Sequence, residues 1–272
     1  MKRDLEIVVL SDLHLGTVGC HAVELTQYLN SVNPEKLILN GDIIDIWNFR
    51  KYYWPETHML AIKTILNMMA AGTEVYYLTG NHDEIIRKIS TLTVGQLHIK
   101  DKLKLQLSNK SCWIFHGDVF DVTMKHSKWL AKLGGIGYDL LIMLNQGINK
   151  LLTLGGYEKY SLSKKIKHSV KQAVKFIDDF EQTAIDLAID NKYDYVVCGH
   201  IHQPVIKEAR NQYGSVTYMN SGDWVENLTA LEYNNGEWEL YKYNAELFKG
   251  NIQPKPVPKS IKIGIEELLA AE

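Results

Sequence analysis

The chain has 272 residues, 46% of them hydrophobic, with thirty basic and thirty-two acidic side chains and a formal charge of −2. That balance provides no global field for DNA or RNA, so nucleic acid is not expected as a partner, and the length suits one large core. No apolar run approaches the roughly 18–20 residues of a membrane span. The three scattered cysteines, Cys20, Cys112 and Cys198, lack CxxC spacing and suit a reducing compartment.

In chain order, the first apolar run is Ile7–Leu10. It is short, and Asp12 just beyond it must stay on the mature protein, so no cleaved leader and a cytoplasmic protein are expected. A helical pattern covers about 22–31, the run Leu37–Leu39 follows, and a second helical pattern covers about 58–72. Val75–Leu78 and Trp113–Phe115 are the next apolar runs. Short runs of this kind, without alternation, read as strands buried on both faces, and Cys112 and Cys198 then read as small buried hydrophobes.

Residues 122–190 read as a helical insertion. Within it, Ile166, Val170, Ala173, Ile177, Phe180, Ala184 and Leu187 alternate spacings of four and three, which predicts one long helix with a continuous apolar stripe. Strands are expected near 194–199, 205–209, 215–220, 227–233 and 236–243, with turn signals such as Asn234-Asn235-Gly236 between them. Strands following a helical block fit the second sheet of a sandwich. Residues 251–272 read as a Pro-rich linker, Pro254-Lys255-Pro256-Val257-Pro258, and a short amphipathic helix on Ile261, Ile263, Ile265, Leu268 and Leu269. The whole of 1–272 is expected to form a single domain.

Five motifs fall where a predicted strand runs out: Asp12-Leu13-His14, Gly41-Asp42, Gly80-Asn81-His82-Asp83, His116-Gly117-Asp118 and Gly199-His200-Ile201-His202. In layered α/β folds, ligands collect outside the carboxyl ends of strands. Asp12, His14, Asp42, Asn81, His116, His200 and His202 supply two carboxylates, one amide and four imidazoles. Seven side chains exceed what one ion needs and suit two divalent ions if one carboxylate bridges, and such a pair is a device for attacking phosphate esters. Asp42 is the expected bridge, because Gly41 lets the backbone crowd close. Extended chain would point His200 and His202 to one side, and Asp12 with His14 likewise. Such a donor set admits manganese, iron, zinc or cobalt. His21, His58, His98, His126 and His168 read as ordinary hydrogen-bonded histidines.

The order D-x-H, G-D, G-N-H-D, H-G-D and G-H-x-H, from Asp12 to His202, resembles the calcineurin-like metallophosphoesterase superfamily. The resemblance implies an α/β fold, a β-sandwich in αββα layers with the helical insertion as a lid, and a two-metal centre for which manganese is favoured. Asp12, His14 and His202 would hold the first ion, Asn81, His116 and His200 the second, with Asp42 shared. His82 would be catalytic, outside the metal shell, giving a proton to the leaving oxygen or a hydrogen bond to the phosphoryl group. The alternative is that His82 satisfies an acid such as Asp83. Asp45 and Asp118 read either as partners that orient ligand imidazoles and loops or as helix caps.

His116-Gly117-Asp118-Val119-Phe120-Asp121 before a long insertion, and Asn220-Ser221-Gly222-Asp223-Trp224-Val225-Glu226 after the last histidines, are similar to one branch of that superfamily. This is the branch containing UDP-2,3-diacylglucosamine hydrolases, which cut a sugar-nucleotide pyrophosphate. Known members carry Arg after the motif Asn, where this chain has His82. The implied reaction releases UMP and a lipid sugar phosphate; alternatives are a phosphodiesterase or phosphomonoesterase on a soluble substrate, or a non-catalytic binding module. The insertion has two readings. It is a helical hairpin with a solvated lysine face, or a lid that accommodates acyl chains and meets a membrane surface, with Trp129, Lys164, Lys165 and Lys167 as candidate substrate contacts.

Overall fold

In the computed structural model, residues 2–46, 53–122 and 162–248 are described, excepting the side chains of 122 and 162–173. In chain order the elements are β1 (Arg3–Leu10), α1 (Ala22–Ser31), β2 (Val32–Asn40), α2 (Glu56–Ala70), β3 (Glu74–Leu78), β4 (Thr93–Val94), β5 (Leu97–Lys100), β6 (Lys102–Leu107) and β7 (Lys110–Phe115). They continue with α3 (Leu162–Asp190), β8 (Tyr195–Cys198), β9 (Val205–Asn211), β10 (Gly214–Asn220), β11 (Thr229–Asn234) and β12 (Glu237–Lys242). The strands form a seven-stranded sheet, β12-β11-β1-β2-β3-β5-β4, and a five-stranded sheet, β6-β7-β8-β10-β9.

Strand burial explains the apolar runs. Along β1, Ile7 and Val9 enter the core between the two sheets, while Val8 and Leu10 enter the core under α1 and α2, as period-two alternation requires. A third core lies where α3 covers the five-stranded sheet, with Phe180, Ala184, Ile185, Ala188 and Ile189 packed on Phe115, Val196, Cys198 and Tyr218. The result is the expected αββα layering. Because β1, β2, β3 and β5 run parallel, as do β7, β8 and β10, the carboxyl ends within each set share an edge.

Three expectations need correction. The late strands do not form one sheet: β11 and β12 extend the first sheet beside β1, and β6 and β7, which precede the insertion, complete the second. β4, β5 and β6 were not anticipated, although Lys102-Leu103-Lys104-Leu105-Gln106-Leu107 alternates strictly, with Leu103 and Leu107 buried and the lysines exposed. Lysines on such an edge strand discourage edge-to-edge pairing. Finally, α3 forms as one helix, but its apolar stripe turns along its length: Leu187 is 37% exposed while Ile185, Ala188 and Ile189 are buried. A four-three spacing repeats every 3.5 residues and drifts by about 20° per heptad against a 3.6-residue helix.

Trp129 and residues 123–161 of the insertion lie outside the described residues, as do the linker and C-terminal segment 251–272. Lys164, Lys165 and Lys167 fall on the backbone of α3, but their side chains lie outside the described set. Among the described residues no helix is long and apolar enough to cross a membrane.

Candidate functional site

All five motifs leave strand ends of the two sheets, and the chain there is not extended. Asp12, His14, Asp42, His200 and His202 have φ of 53°, 50°, 54°, 68° and 53°, a left-handed region that non-glycine residues seldom occupy. Five of the seven candidate ligands therefore carry backbone strain, which persists where surrounding contacts over-determine it. Those contacts are visible. The loops after β1 and β2 are laced by Asp12 N–H to Gly41 O (3.1 Å), His14 N–H to Asp42 O (3.0 Å) and Leu15 N–H to Ile43 O (3.0 Å). The expected extended alternation is thus replaced by left-handed turns. His200 and His202 consequently serve different clusters rather than one side.

Three groups of ligand atoms result; one, His14, Asp45 and His82, borders the other two. In the first, the ligand atoms of Asp12, His14 and His202 lie within 4.8 Å of one another, with His202 Nε2 3.1 Å from Asp12 Oδ1. In the second, Asp42, His116 and His200 meet within the same distance, with His116 Nε2 3.3 Å from Asp42 Oδ2. Asp42 Oδ1 accepts the His82 N–H (2.8 Å), which brings the Asn81–His82 loop onto the second cluster. A Cβ on Gly80 would overlap the Asp42 carboxylate, and one on Gly41 would overlap the His116 ring. Only glycine allows this approach.

Whether these residues suit divalent ions can be tested on their hydrogen bonds. Buried polar atoms are nearly always partnered. Yet Asp12 Oδ1, Asn81 Oδ1 and His116 Nε2 are buried without a hydrogen bond among the described residues, the first and last facing His202 and Asp42 as ion pairs. All three are candidate ligand atoms, and the surrounding oxygen and imidazole donors are those that divalent ions accept.

The protonation states agree with a dense cluster of opposite charges. Burial would raise the Asp12 carboxyl, but His202 and His116 outweigh it and hold it at about 2. Asp42 likewise falls below the usual carboxylate range, its burial overcome by His116. Burial would lower the His202 imidazole, but Asp12 raises it to about 9. His116 stands well above its ordinary value because Asp42 and Asp12 overcome its burial.

Around the clusters stand the orienting groups. His116 Nδ1 donates to Asn40 O (2.9 Å), and Asn40 Nδ2 donates to Phe115 O (3.1 Å), tying β2 to β7. His200 Nε2 lies 2.9 Å from Asp121 Oδ1. His202 Nδ1 is 3.7 Å from Asp223, whose Oδ1 accepts the N–H of Val225 and Glu226. Asp45 Oδ2 is 3.1 Å from His82 Nδ1 and 3.7 Å from His14 Nδ1. Asp83 does not pair with His82; it accepts from Gly80 N (2.7 Å), Ile43 N (3.0 Å) and the Tyr77 hydroxyl (2.6 Å), shaping the loop. Asp118 pairs with Arg87 at 2.8 Å rather than with an imidazole. Asn40, Asp121, Asp223 and Arg87 were given no role from the sequence, although Asp121 and Asp223 stand inside noted motifs. Of the remaining histidines, His58 is buried and accepts the Gly16 N–H, and His98 stacks on Tyr76.

A family model described as calcineurin-like phosphoesterase matches residues 5–204. The chain is 21% identical over 248 residues to a UDP-2,3-diacylglucosamine hydrolase of Aliivibrio fischeri, covering 88% of this chain and 98% of that one. It is 23% identical to the enzyme of that name from Blochmanniella floridana, over 79% and 94% of the two chains. Among solved structures, it is similar to an archaeal phosphodiesterase at 15% identity and a TM-score of 0.43, over 87% and 98% of the chains.

Proposed function

We propose a centre and a substrate for this chain from one premise: it belongs to the calcineurin-like phosphoesterase family and is a metal-dependent phosphoester hydrolase. The centre is binuclear. Asp12, His14 and His202 hold one ion, Asn81, His116 and His200 the other, and Asp42 is shared. The observation that carries this reading is the convergence of Asp12 with His14 and His202, and of Asp42 with His116 and His200, around buried ligand atoms. When bound, a pair of divalent ions polarises phosphoryl oxygens and lowers the pKa of water towards neutrality. Manganese fits the donor set, as do iron, zinc and cobalt.

His82 acts beside that centre. Burial opposes its charge, but the contact with Asp45 raises its pKa and sets the ring. A protonated imidazole held by Nδ1 presents Nε2 to a phosphoryl or leaving oxygen, which is the requirement for proton donation.

The substrate is a UDP-2,3-diacylglucosamine-like sugar-nucleotide lipid, cleaved to UMP and a lipid sugar phosphate. Two observations support it. The curated relatives that share most of this chain's length carry that activity in their names. Exposed apolar side chains, Val18, Tyr53, Ile85, Ile89 and Val119, also stand on the segments that leave the ligand-bearing strands, where they could meet acyl chains. On this reading the enzyme is cytoplasmic and touches the membrane surface peripherally. His82 in place of an arginine favours a second reading, a soluble phosphodiester substrate at the same centre, because imidazole lacks the bidentate fork that grips a phosphate. Assays of UDP-2,3-diacylglucosamine beside bis-p-nitrophenyl phosphate and p-nitrophenyl phosphate separate the two. Release of UMP is expected; cleavage of the simple esters alone would overturn the lipid assignment.

A further inference from the structure

We propose that Arg87 is a positioning residue, which clamps the Asn81–His82 loop to the His116 loop and thereby fixes the second ion-binding cluster. The inference rests on the binuclear reading above and adds a residue that no motif contains.

The second cluster draws its groups from both sheets. Asn81 follows β3 in the seven-stranded sheet, and His116 follows β7 in the five-stranded sheet. A small relative shift of the sheets would therefore separate two ligands of one ion. Arg87 lies on the 3-10 turn Glu84–Ile89 that continues from the Asn81–His82 loop. Its Nη2 donates to Asp118 Oδ2 at 2.8 Å, two residues beyond His116. Its Nε donates to Thr79 Oγ1 at 3.2 Å, just ahead of Gly80, and stands 3.7 Å from Asp101 Oδ1. Thr79 Oγ1 in turn donates to Asp101 at 2.9 Å, where the chain crosses from β5 to β6 and so from one sheet to the other.

A lone exposed ion pair would contribute little to such a clamp. The Arg87 side chain is 33% exposed and turns its planar fork to acceptors from three segments, which Lys cannot reproduce. Among the described residues it forms the one ion pair joining the loop after β3 to the loop after β7. Its hydrogen bonds go to Thr79 and Asp118 and to no candidate ligand atom, so it acts on the cluster indirectly, through the loops it joins.

The test is manganese titration of metal-stripped protein, followed by electron paramagnetic resonance, in wild type, Arg87→Gln and Arg87→Lys. Wild type is expected to take up two ions and show a coupled signal. Arg87→Gln should keep the first ion at wild-type affinity and weaken the second by about 10–100-fold, the range found when groups that orient ligands are lost. Its kcat should recover as manganese is raised while KM stays unchanged. Arg87→Lys should restore part of the loss. Unchanged affinity for both ions in Arg87→Gln, or equal weakening of both, would overturn the clamp. A wild type that takes up fewer than two ions would overturn the binuclear reading itself, and the clamp with it. Should Arg87→Gln not fold, Asp118→Asn removes the same charge pair at the other end and carries the same expectation.

Discussion

The two clusters each contain a carboxylate and two imidazoles, but the imidazoles are held differently. His116 and His200 are nearly sealed, at 0% and 9% side-chain exposure, and each has an outer contact at 2.9 Å, to Asn40 and Asp121. His14 and His202 are more open, at 11% and 32%, and their outer carboxylates Asp45 and Asp223 stand 3.7 Å away. Imidazoles locked by short contacts are oriented before an ion arrives, whereas loosely held ones settle around it. The second cluster should therefore bind its ion tightly and slowly, and the first should exchange its ion with solvent.

The comparison breaks completely if the carboxylate proposed to be shared is removed. Asp42→Asn keeps the side-chain shape and tolerates the φ of 54° better than alanine would. It should lose both ions and lower turnover to that of chelator-treated protein; metal analysis with retained activity would sink the bridging role. His82→Ala spares both clusters and should lower kcat by about 10²–10⁴. Two bound ions with full activity in that variant would remove His82 from the chemistry.

The contrast between clusters could not be read from the sequence, although the clusters could. That these side chains would converge was legible because strand runs as short as Tyr195–Cys198 end in residues with no structural reason to be Asp, His or Asn so regularly. The sequence could not reveal the left-handed φ at Asp12, His14, Asp42, His200 and His202. Nothing in an Asp-x-His spacing distinguishes an extended chain from a strained turn held by backbone bonds to the next loop. Asp121 and Asp223 were missed for a related reason: an acid near a ligand histidine can equally cap a turn, and only the fold tells which. In the fold, β6 was missed despite a clear alternation. β11 was assigned to the wrong sheet because adjacency in sequence does not fix adjacency in a sandwich.

Removing one outer carboxylate at a time sharpens the comparison. Asp121→Asn should weaken the second cluster's ion by about 10–100-fold, since the carboxylate that orients His200 across 2.9 Å is lost. Asp223→Asn acts across 3.7 Å, so a smaller loss, nearer the lower end of that range, is expected at the first cluster. Site-resolved manganese affinities decide it. Equal losses in the two variants would show that contact length does not set the difference.

Proton release provides the finest test. An imidazole must be neutral to ligate, yet in the ion-free protein Asp12 holds His202 protonated up to about 9. Binding at pH 7 must then displace that proton. The affinity of the first cluster should rise with pH by up to about tenfold per unit for each proton displaced, and should flatten once pH passes about 9. Asp12 contributes no such slope near neutrality, because its carboxyl is held at about 2 and is already ionised. His116 is also held well above its ordinary value by Asp42 and Asp12, so the second cluster too should release a proton when it binds its ion near neutrality. Calorimetric titrations in buffers of different ionisation enthalpy count the protons directly. Zero release at pH 7 would mean that the charged imidazoles are not the groups the ions meet.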